Sequence, residues 1–450
     1  MSSKDELLAR ANQPSSEALR LHPYYRGKVQ TMLKCPVRTF DDFSIWYTPG
    51  VAAPCKAIQA DPALAYEYTN KANTVAVVTD GTRVLGLGNI GAQAGMPVME
   101  GKALLFKYLG GVDAVPLCLD TEDADDIIRT VRLIQPTYGG INLEDIAQPK
   151  CFRVLDTLRA DPTVQIPVFH DDQQGTATVL LAGLLNALKV TKRDIRNTRF
   201  ALVGMGAANV ATLRLLEASG VSLEQVIATD SRGILHRDRS DIAAQAEDYP
   251  DKWRVCLGSN PDSVRGGIAE ALQGAEVCIA FAQPGPGTIK PEWVARMAPD
   301  SIVFPCSNPV PEIWPWGAKE AGARIVGTGR SDFPNQLNNS LGFPGIFRGA
   351  LDVRARTITD EMCLAAAAEI AAYGEELGLD DDHLVPTMEQ EDIFPREAAA
   401  VGAKAVEQGL ARIAATRQEL YGMARAKIAE ARDMITMLMA EGGIRPVPEA

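Results

Sequence analysis

Residues 198–209 constrain this chain more than any other stretch. The apolar run Thr198-Arg199-Phe200-Ala201-Leu202-Val203 turns through Gly204-Met205-Gly206 into Ala207-Ala208-Asn209, and an unbroken helical pattern follows over 210–219. A strand that turns on glycine into a helix presents backbone N–H groups at the helix N-terminus, where a pyrophosphate can be held. The next strand, 225–229, ends at Asp230, an acid placed to accept from ribose hydroxyls. Gly204, Gly206, Ala207, Ala208, Asn209 and Asp230 are therefore the expected dinucleotide contacts. Asp230 favours a free ribose 2′-OH and hence NAD. Arg232, Arg237 and Arg239 follow closely and can accommodate the 2′-phosphate of NADP, so both cofactors stay open.

A second segment, Gly86-Leu87-Gly88-Asn89-Ile90-Gly91, matches the G-x-G-x-x-G pattern more literally. Its context is poorer, because Gly95 and Pro97 follow and are expected to cut short any helix there. These glycines read instead as letting a loop pass close to a substrate or another backbone.

Strands and helices alternate elsewhere. Apolar runs at 74–79, 114–119, 165–169, 277–281, 301–304 and 324–327 read as strands, and 98–109, 127–134 and 176–188 as helices. The pattern predicts an α/β protein with an N-terminal α/β domain over 1–175 and a doubly wound nucleotide-binding domain over 176–355. A helical C-terminal segment over 356–450 is expected to pack on the nucleotide domain or on a dimer partner. Residues 1–35 read as a helical leader.

Charge and cysteine usage narrow the function classes. Lys plus Arg total 45 against 57 Asp plus Glu, a net charge of −12, which argues against a nucleic-acid partner. No run approaches the roughly 18 uncharged apolar residues of a membrane span. Residues 1–10 are charged and lack the apolar core of a signal peptide, so the expected place is the cytoplasm. The eight cysteines form no C-x-x-C pair and are expected to be buried reduced thiols.

Two acidic pairs suggest a cation site. Glu144-Asp145 lies in an apolar frame, and Asp171-Asp172 directly follows a strand, at the edge where α/β sheets collect ligands. Three or four oxygens from such pairs suit Mg²⁺ or Mn²⁺. With four histidines in the chain, a three-histidine zinc site is disfavoured. Lys102 sits among apolar residues; near a cation its pKa would be lowered, as a general base requires. Tyr47 precedes the rigid Thr48-Pro49-Gly50 turn, and Arg83 can clamp a carboxylate. Lys102 and Tyr47 also have plain structural readings, as a snorkelling lysine and a packed aromatic. From the residues alone, the chain reads as a metal-dependent nicotinamide dehydrogenase of a small acid.

Six segments go further: Tyr47-Thr48-Pro49-Gly50-Val51-Ala52; Val77-Val78-Thr79-Asp80-Gly81-Thr82-Arg83 through Gly88; Pro97-Val98-Met99-Glu100-Gly101-Lys102; Gly139-Gly140-Ile141-Asn142-Leu143-Glu144-Asp145; Val168-Phe169-His170-Asp171-Asp172-Gln173; and Gly329-Arg330-Ser331-Asp332-Phe333-Pro334 through Ala350. Together they resemble the malic enzyme family, closest to its short bacterial forms. The resemblance implies a Rossmann-type second domain and oxidative decarboxylation of L-malate to pyruvate and CO₂ with NAD or NADP. It further implies Lys102 as general base, Tyr47 as general acid, Glu144, Asp145 and Asp172 as ligands of Mg²⁺ or Mn²⁺, and Asp171 in the network around the base. Arg83 would bind a malate carboxylate, and Asn308 and Asn339 would face substrate and cofactor. A homodimer or higher homo-oligomer is implied as well.

The chain departs from the family pattern at Gln174, at Phe281-Ala282-Gln283-Pro284-Gly285-Pro286-Gly287 and at Phe304-Pro305-Cys306-Ser307. The last two lie in the nucleotide half. Alternatives therefore stay open: non-oxidative decarboxylation of malate or oxaloacetate, a catalytically weak nucleotide-responsive member, or a substituted malate as substrate.

Overall fold

The computed structural model describes the backbone of residues 4–449 and the side chains of residues 14–449. Of the expected leader, Met1–Ser3 lie outside the described residues, and a helix runs over Lys4–Tyr25.

The first sheet holds β1 (Thr74–Thr79), β2 (Asp113–Cys118), β3 (Gly140–Leu143) and β4 (Val168–His170) in the order β2-β1-β3-β4, with every pair parallel. All of β1 is buried, as its continuous apolar run demands of a central parallel strand. β3 escaped the sequence reading because it is short and opens on Gly139-Gly140, which resembles a turn. Those glycines are there for space: a Cβ on Gly139 would meet the Lys71 carbonyl, and one on Gly140 would lie 2.9 Å from the Phe347 ring.

The helix carrying Lys102 runs over Ala92–Gly110, with Gly95 and Pro97 inside it. The expected break does not occur. Pro97 removes one backbone bond and crowds the preceding turn, together a cost of about 3 kcal/mol. Met99, Phe106 and Leu109 are buried along the same helix and return about 1.5–3 kcal/mol each.

The second sheet holds β5 (Phe200–Val203), β6 (Val226–Asp230), β7 (Gly233–Ile234), β8 (Val277–Ala280), β9 (Ile302–Pro305) and β10 (Ile325–Val326), ordered β10-β9-β8-β5-β6-β7. Only β7 runs antiparallel. The order reverses beside β5, so the crevice at the carboxyl ends of β5 and β8 is the ligand position of a doubly wound sheet. The expected boundary at 175/176 falls where a π-helical turn, Asp171–Gly175, leads from β4 into the helix Thr176–Val190.

The C-terminal helices divide. Asp360–Leu377 packs on Thr176–Val190 and on Ala207–Ala218. Arg417–Ala440 instead lies against Ala92–Gly110, a first-domain helix that the sequence reading did not assign to it. Phe343–Asp352 also completes the first-domain core, where Phe343 and Phe347 pack on Phe106 with ring centroids 4.6 and 5.2 Å apart. Five cysteines are buried as expected, whereas Cys55 is exposed.

Candidate active site

Strand alternation and one turn assemble the acidic cluster. Asn142 and Glu144 lie two residues apart at the end of β3, on one face, and the Asn142 amide donates to Glu144 at 2.9 Å. The backbone N–H of Asp145 donates to Asp172 Oδ2 at 2.8 Å, which ties the β3 end to the turn after β4. Gly175 belongs to that turn because a Cβ there would collide with the Asp171 carboxylate. Glu144, Asp145 and Asp172 each offer an oxygen within 4.8 Å of the others.

Lys102 reaches this cluster from its helix. Its ammonium pairs with Asp171, stands 3.2 Å from Glu144 Oε1, and lies 4.1 Å from the centroid of the Phe343 ring. Burial works to lower its pKa, but Asp171 and Glu144 outweigh burial and hold it above the ordinary lysine value. The sequence expectation of a lowered pKa is therefore reversed in the chain by itself, because carboxylates outnumber the single ammonium. Burial pushes the Asp145 carboxyl up to about 8, helped by Asp172, and the Asp171 carboxyl up to about 6. Glu144 is raised for the same first cause.

This excess of buried carboxylate is what a hard divalent cation would neutralise. Asp145 Oδ2 is buried with no hydrogen-bond partner, and the donor set is all oxygen, so the residues fit Mg²⁺ or Mn²⁺. His170, fully buried behind the cluster, has its Nδ1 3.7 Å from Asp172 Oδ2, and burial lowers its pKa.

The remaining expected site residues fall into two groups. Asn339 lies beside the cluster, where it and the Asp171 carboxylate both border the space a Cβ on Gly175 would fill. The Arg83 backbone N–H donates to the Asp145 carbonyl at 3.0 Å, while its exposed guanidinium has no partner among the described residues. Asn308 lies where the domains meet: a Cβ on Gly86 would stand 2.5 Å from its carbonyl oxygen, so the Gly86 loop does approach another backbone. Tyr47 is not brought in; it is 71% exposed.

In the nucleotide half, Gly204 has φ +88° and lies against the Phe281 carbonyl, and Gly206 precedes the helix Ala207–Ala218. Ala207 and Ala208 open that helix and remain partly accessible. The Asn209 side chain turns inward. It is fully buried, and its amide donates to the carbonyls of Val203, Gly204 and Ile279 at 3.2, 2.8 and 3.4 Å, so it braces the turn. Asp230 is held by Arg239 at 3.0 Å, and the Arg232 guanidinium pairs with Asp241 at 3.1 Å.

Sequence reasoning missed Asn142, Phe343 and Asp80. Asn142 was readable from the period of two along β3. Asp80, buried beside the cluster, binds Lys150 Nζ at 2.5 Å and the Thr82 hydroxyl at 2.6 Å. Phe343 left no local signal, because it comes from a distant helix.

Fold and site together define a two-domain α/β enzyme with a dinucleotide crevice beside a carboxylate–lysine centre built for a divalent cation. The family profile "Malic enzyme, N-terminal domain" matches residues 26–159, and "Malic enzyme, NAD binding domain" matches residues 173–314 and 323–406. The NAD-dependent malic enzyme of Geobacillus stearothermophilus is 49% identical over 86% of this chain and 78% of its own length. The bifunctional malic/malolactic enzyme of Bacillus subtilis is 46% identical over 90% of this chain and 96% of its own. The crystal structure of the Entamoeba histolytica malic enzyme superposes with a TM-score of 0.95 at 46% identity, covering 99% of this chain and 93% of that one. The chain belongs to the malic enzyme family.

Proposed function

We propose that this chain oxidatively decarboxylates L-malate to pyruvate and CO₂, reducing NAD or NADP, at the centre around Lys102. The observation that carries the reading is the buried Lys102 ammonium paired with Asp171 and Glu144 beside three converging carboxylates. Glu144, Asp145 and Asp172 would hold the divalent cation. When bound, it supplies Lewis-acid polarisation at C2 and a positive charge to offset the electrons released by loss of CO₂.

The chain's own residues do the rest. The Lys102 ammonium first passes its proton to Asp171; the neutral amine then accepts the C2 hydroxyl proton as hydride leaves for the nicotinamide, with Asp171 and Glu144 holding its position and Asn339 facing the substrate. Arg83 holds a malate carboxylate with its free fork. Tyr47 delivers a proton to C3 of the enolate that loss of CO₂ leaves, which gives pyruvate. Gly204, Gly206, Ala207 and Ala208 line the pyrophosphate, Asp230 meets the ribose, and Asn308 orients the nicotinamide side. Buried Phe343 excludes water from the Lys102 side.

The active form is a homodimer. Its place is the cytoplasm, a reading supported by eight free cysteines, the state a reducing compartment preserves. No helix among the described residues is long and apolar enough to cross a membrane.

The test is L-malate with Mn²⁺, with NAD and NADP in separate reactions. Equal amounts of pyruvate and reduced nicotinamide support the reading and identify the cofactor. Lactate without net nicotinamide reduction would favour a second reading, malate to lactate, which the likeness to a malic/malolactic enzyme brings in. Neither product overturns both.

A further inference from the structure

Glu312 is a fully buried carboxylate outside the cluster around Lys102. No cation pairs with it among the described residues, and burial raises its pKa above the ordinary glutamate value. Burying an acid without a counter-charge is unfavourable unless donors satisfy it. Here the donors come from two loops. Glu312 Oε1 accepts from the Ala282 N–H at 2.8 Å and from the Ser307 hydroxyl at 2.5 Å, and Oε2 accepts from the Ser307 N–H at 3.2 Å. Its own carbonyl accepts from the N–H groups of Gly287 and Ile289 at 3.2 and 3.1 Å.

These loops stand at a particular place in the fold. The first follows β8 and the second follows β9, so both leave the carboxyl ends of neighbouring parallel strands. At one end, a Cβ on Gly204 in the pyrophosphate turn would collide with the Phe281 carbonyl. At the other, a Cβ on Gly86 in the catalytic half would stand 2.5 Å from the Asn308 carbonyl oxygen and 3.3 Å from Pro284 Cγ. The two loops therefore bridge the pyrophosphate turn and the catalytic half. A dinucleotide held at the Gly204 turn must lay its nicotinamide along this bridge to reach a substrate at the Lys102 centre. The first loop has little to fix its own shape, since Gly285 and Gly287 hold φ of +123° and +107° with open space around both.

We propose that Glu312 is the positioning residue of the nicotinamide pocket: it clamps loops 281–289 and 306–310 together and so fixes the surface on which the nicotinamide ring lies. Glu312 acts through the loop backbones and does not itself touch the reacting atoms. The inference rests on the proposed function for the nature of the cofactor, and on the two-loop clamp for the role of Glu312.

The experiment titrates wild type, Glu312→Ala and Glu312→Gln with ligands that carry or lack nicotinamide: NAD against ADP-ribose, and NADP against 2′-phospho-ADP-ribose. Glu312→Ala should bind the nicotinamide cofactor about tenfold more weakly while the ligand without nicotinamide stays within about twofold of wild type. Single-turnover hydride transfer from malate at saturating cofactor should fall a further tenfold to 100-fold, about what a misplaced ring costs. Glu312→Gln keeps the shape and one acceptor but turns an amide donor on the loop N–H groups, so its losses should be smaller in the same pattern. It carries the test if Glu312→Ala does not fold. Equal weakening of both ligands of a pair would make Glu312 a structural residue of the whole nucleotide domain and overturn the proposal. Unchanged affinities with an unchanged transfer rate would overturn it too. Wild type that binds the cofactors but is inert on malate overturns the function reading instead and leaves the binding comparison to decide the clamp. Wild type that binds neither cofactor overturns both.

Discussion

Gly86 lies so close to Asn308 that a Cβ on it would stand 2.5 Å from the Asn308 carbonyl oxygen and 2.8 Å from Pro309 Cδ. The catalytic and nucleotide halves thus meet backbone to backbone beside the centre. Gly86→Ala should force them apart while leaving each core intact. A widened gap misplaces nicotinamide against C2, and kcat/KM should fall about tenfold or more, equivalent to about 1.4 kcal/mol. Steady-state kinetics with a melting curve checks this; an unchanged kcat/KM would show that the contact does not set the spacing.

Asp172→Ala should abolish metal-dependent turnover. It removes one of three converging oxygens and the acceptor of the Asp145 N–H. The expected loss is at least about 100-fold in rate, with Mn²⁺ affinity reduced in parallel. Calorimetric Mn²⁺ titration reads the affinity directly, and near-normal affinity would remove Asp172 from the ligand set.

Asn209→Ala should cost stability and spare nucleotide affinity. The variant leaves the carbonyls of Val203, Gly204 and Ile279 without this amide, for a loss of about 1–3 kcal/mol. Thermal denaturation and a nucleotide-binding titration separate the effects. Unchanged stability with weakened binding would return Asn209 to the cofactor face.

Glu397 makes stability depend on pH. It is fully buried, both carboxylate oxygens lack partners, and burial followed by nearby Glu369 raises its pKa well above the ordinary value. The folded state therefore keeps a proton that the unfolded chain releases. Its contribution is intact below the ordinary glutamate range and declines as pH rises through that range towards the raised value. Glu397→Gln should flatten this slope, raising the melting temperature more at pH 8 than at pH 5. Parallel curves for the two proteins would contradict the assignment.

Much of the architecture was legible because it is written locally. β1 and β5 are continuous apolar runs, and the Gly204 turn stands between a strand and a helix with nothing to interrupt it. The acidic pairs were legible as residue types, and the structure converges Glu144, Asp145 and Asp172. What depended on distant partners was not readable. The helix Ala92–Gly110 absorbs Pro97 because of what it buries. The pKa of Lys102 is set by carboxylates from two other segments, and Phe343 arrives from more than 200 residues away. Asn209 looked like a cofactor contact by position, yet its side chain points to the strand carbonyls.

The central claim is that Lys102 takes the substrate's hydroxyl proton at the carboxylate centre. Single-turnover hydride transfer in Lys102→Ala, measured beside its nucleotide and Mn²⁺ dissociation constants, tests it most directly. The account predicts a loss of about 10²–10⁴-fold in the transfer rate, with both dissociation constants within a few-fold of wild type. Comparable losses in rate and in binding would contradict it and leave Lys102 as a structural counter-charge for Asp171 and Glu144.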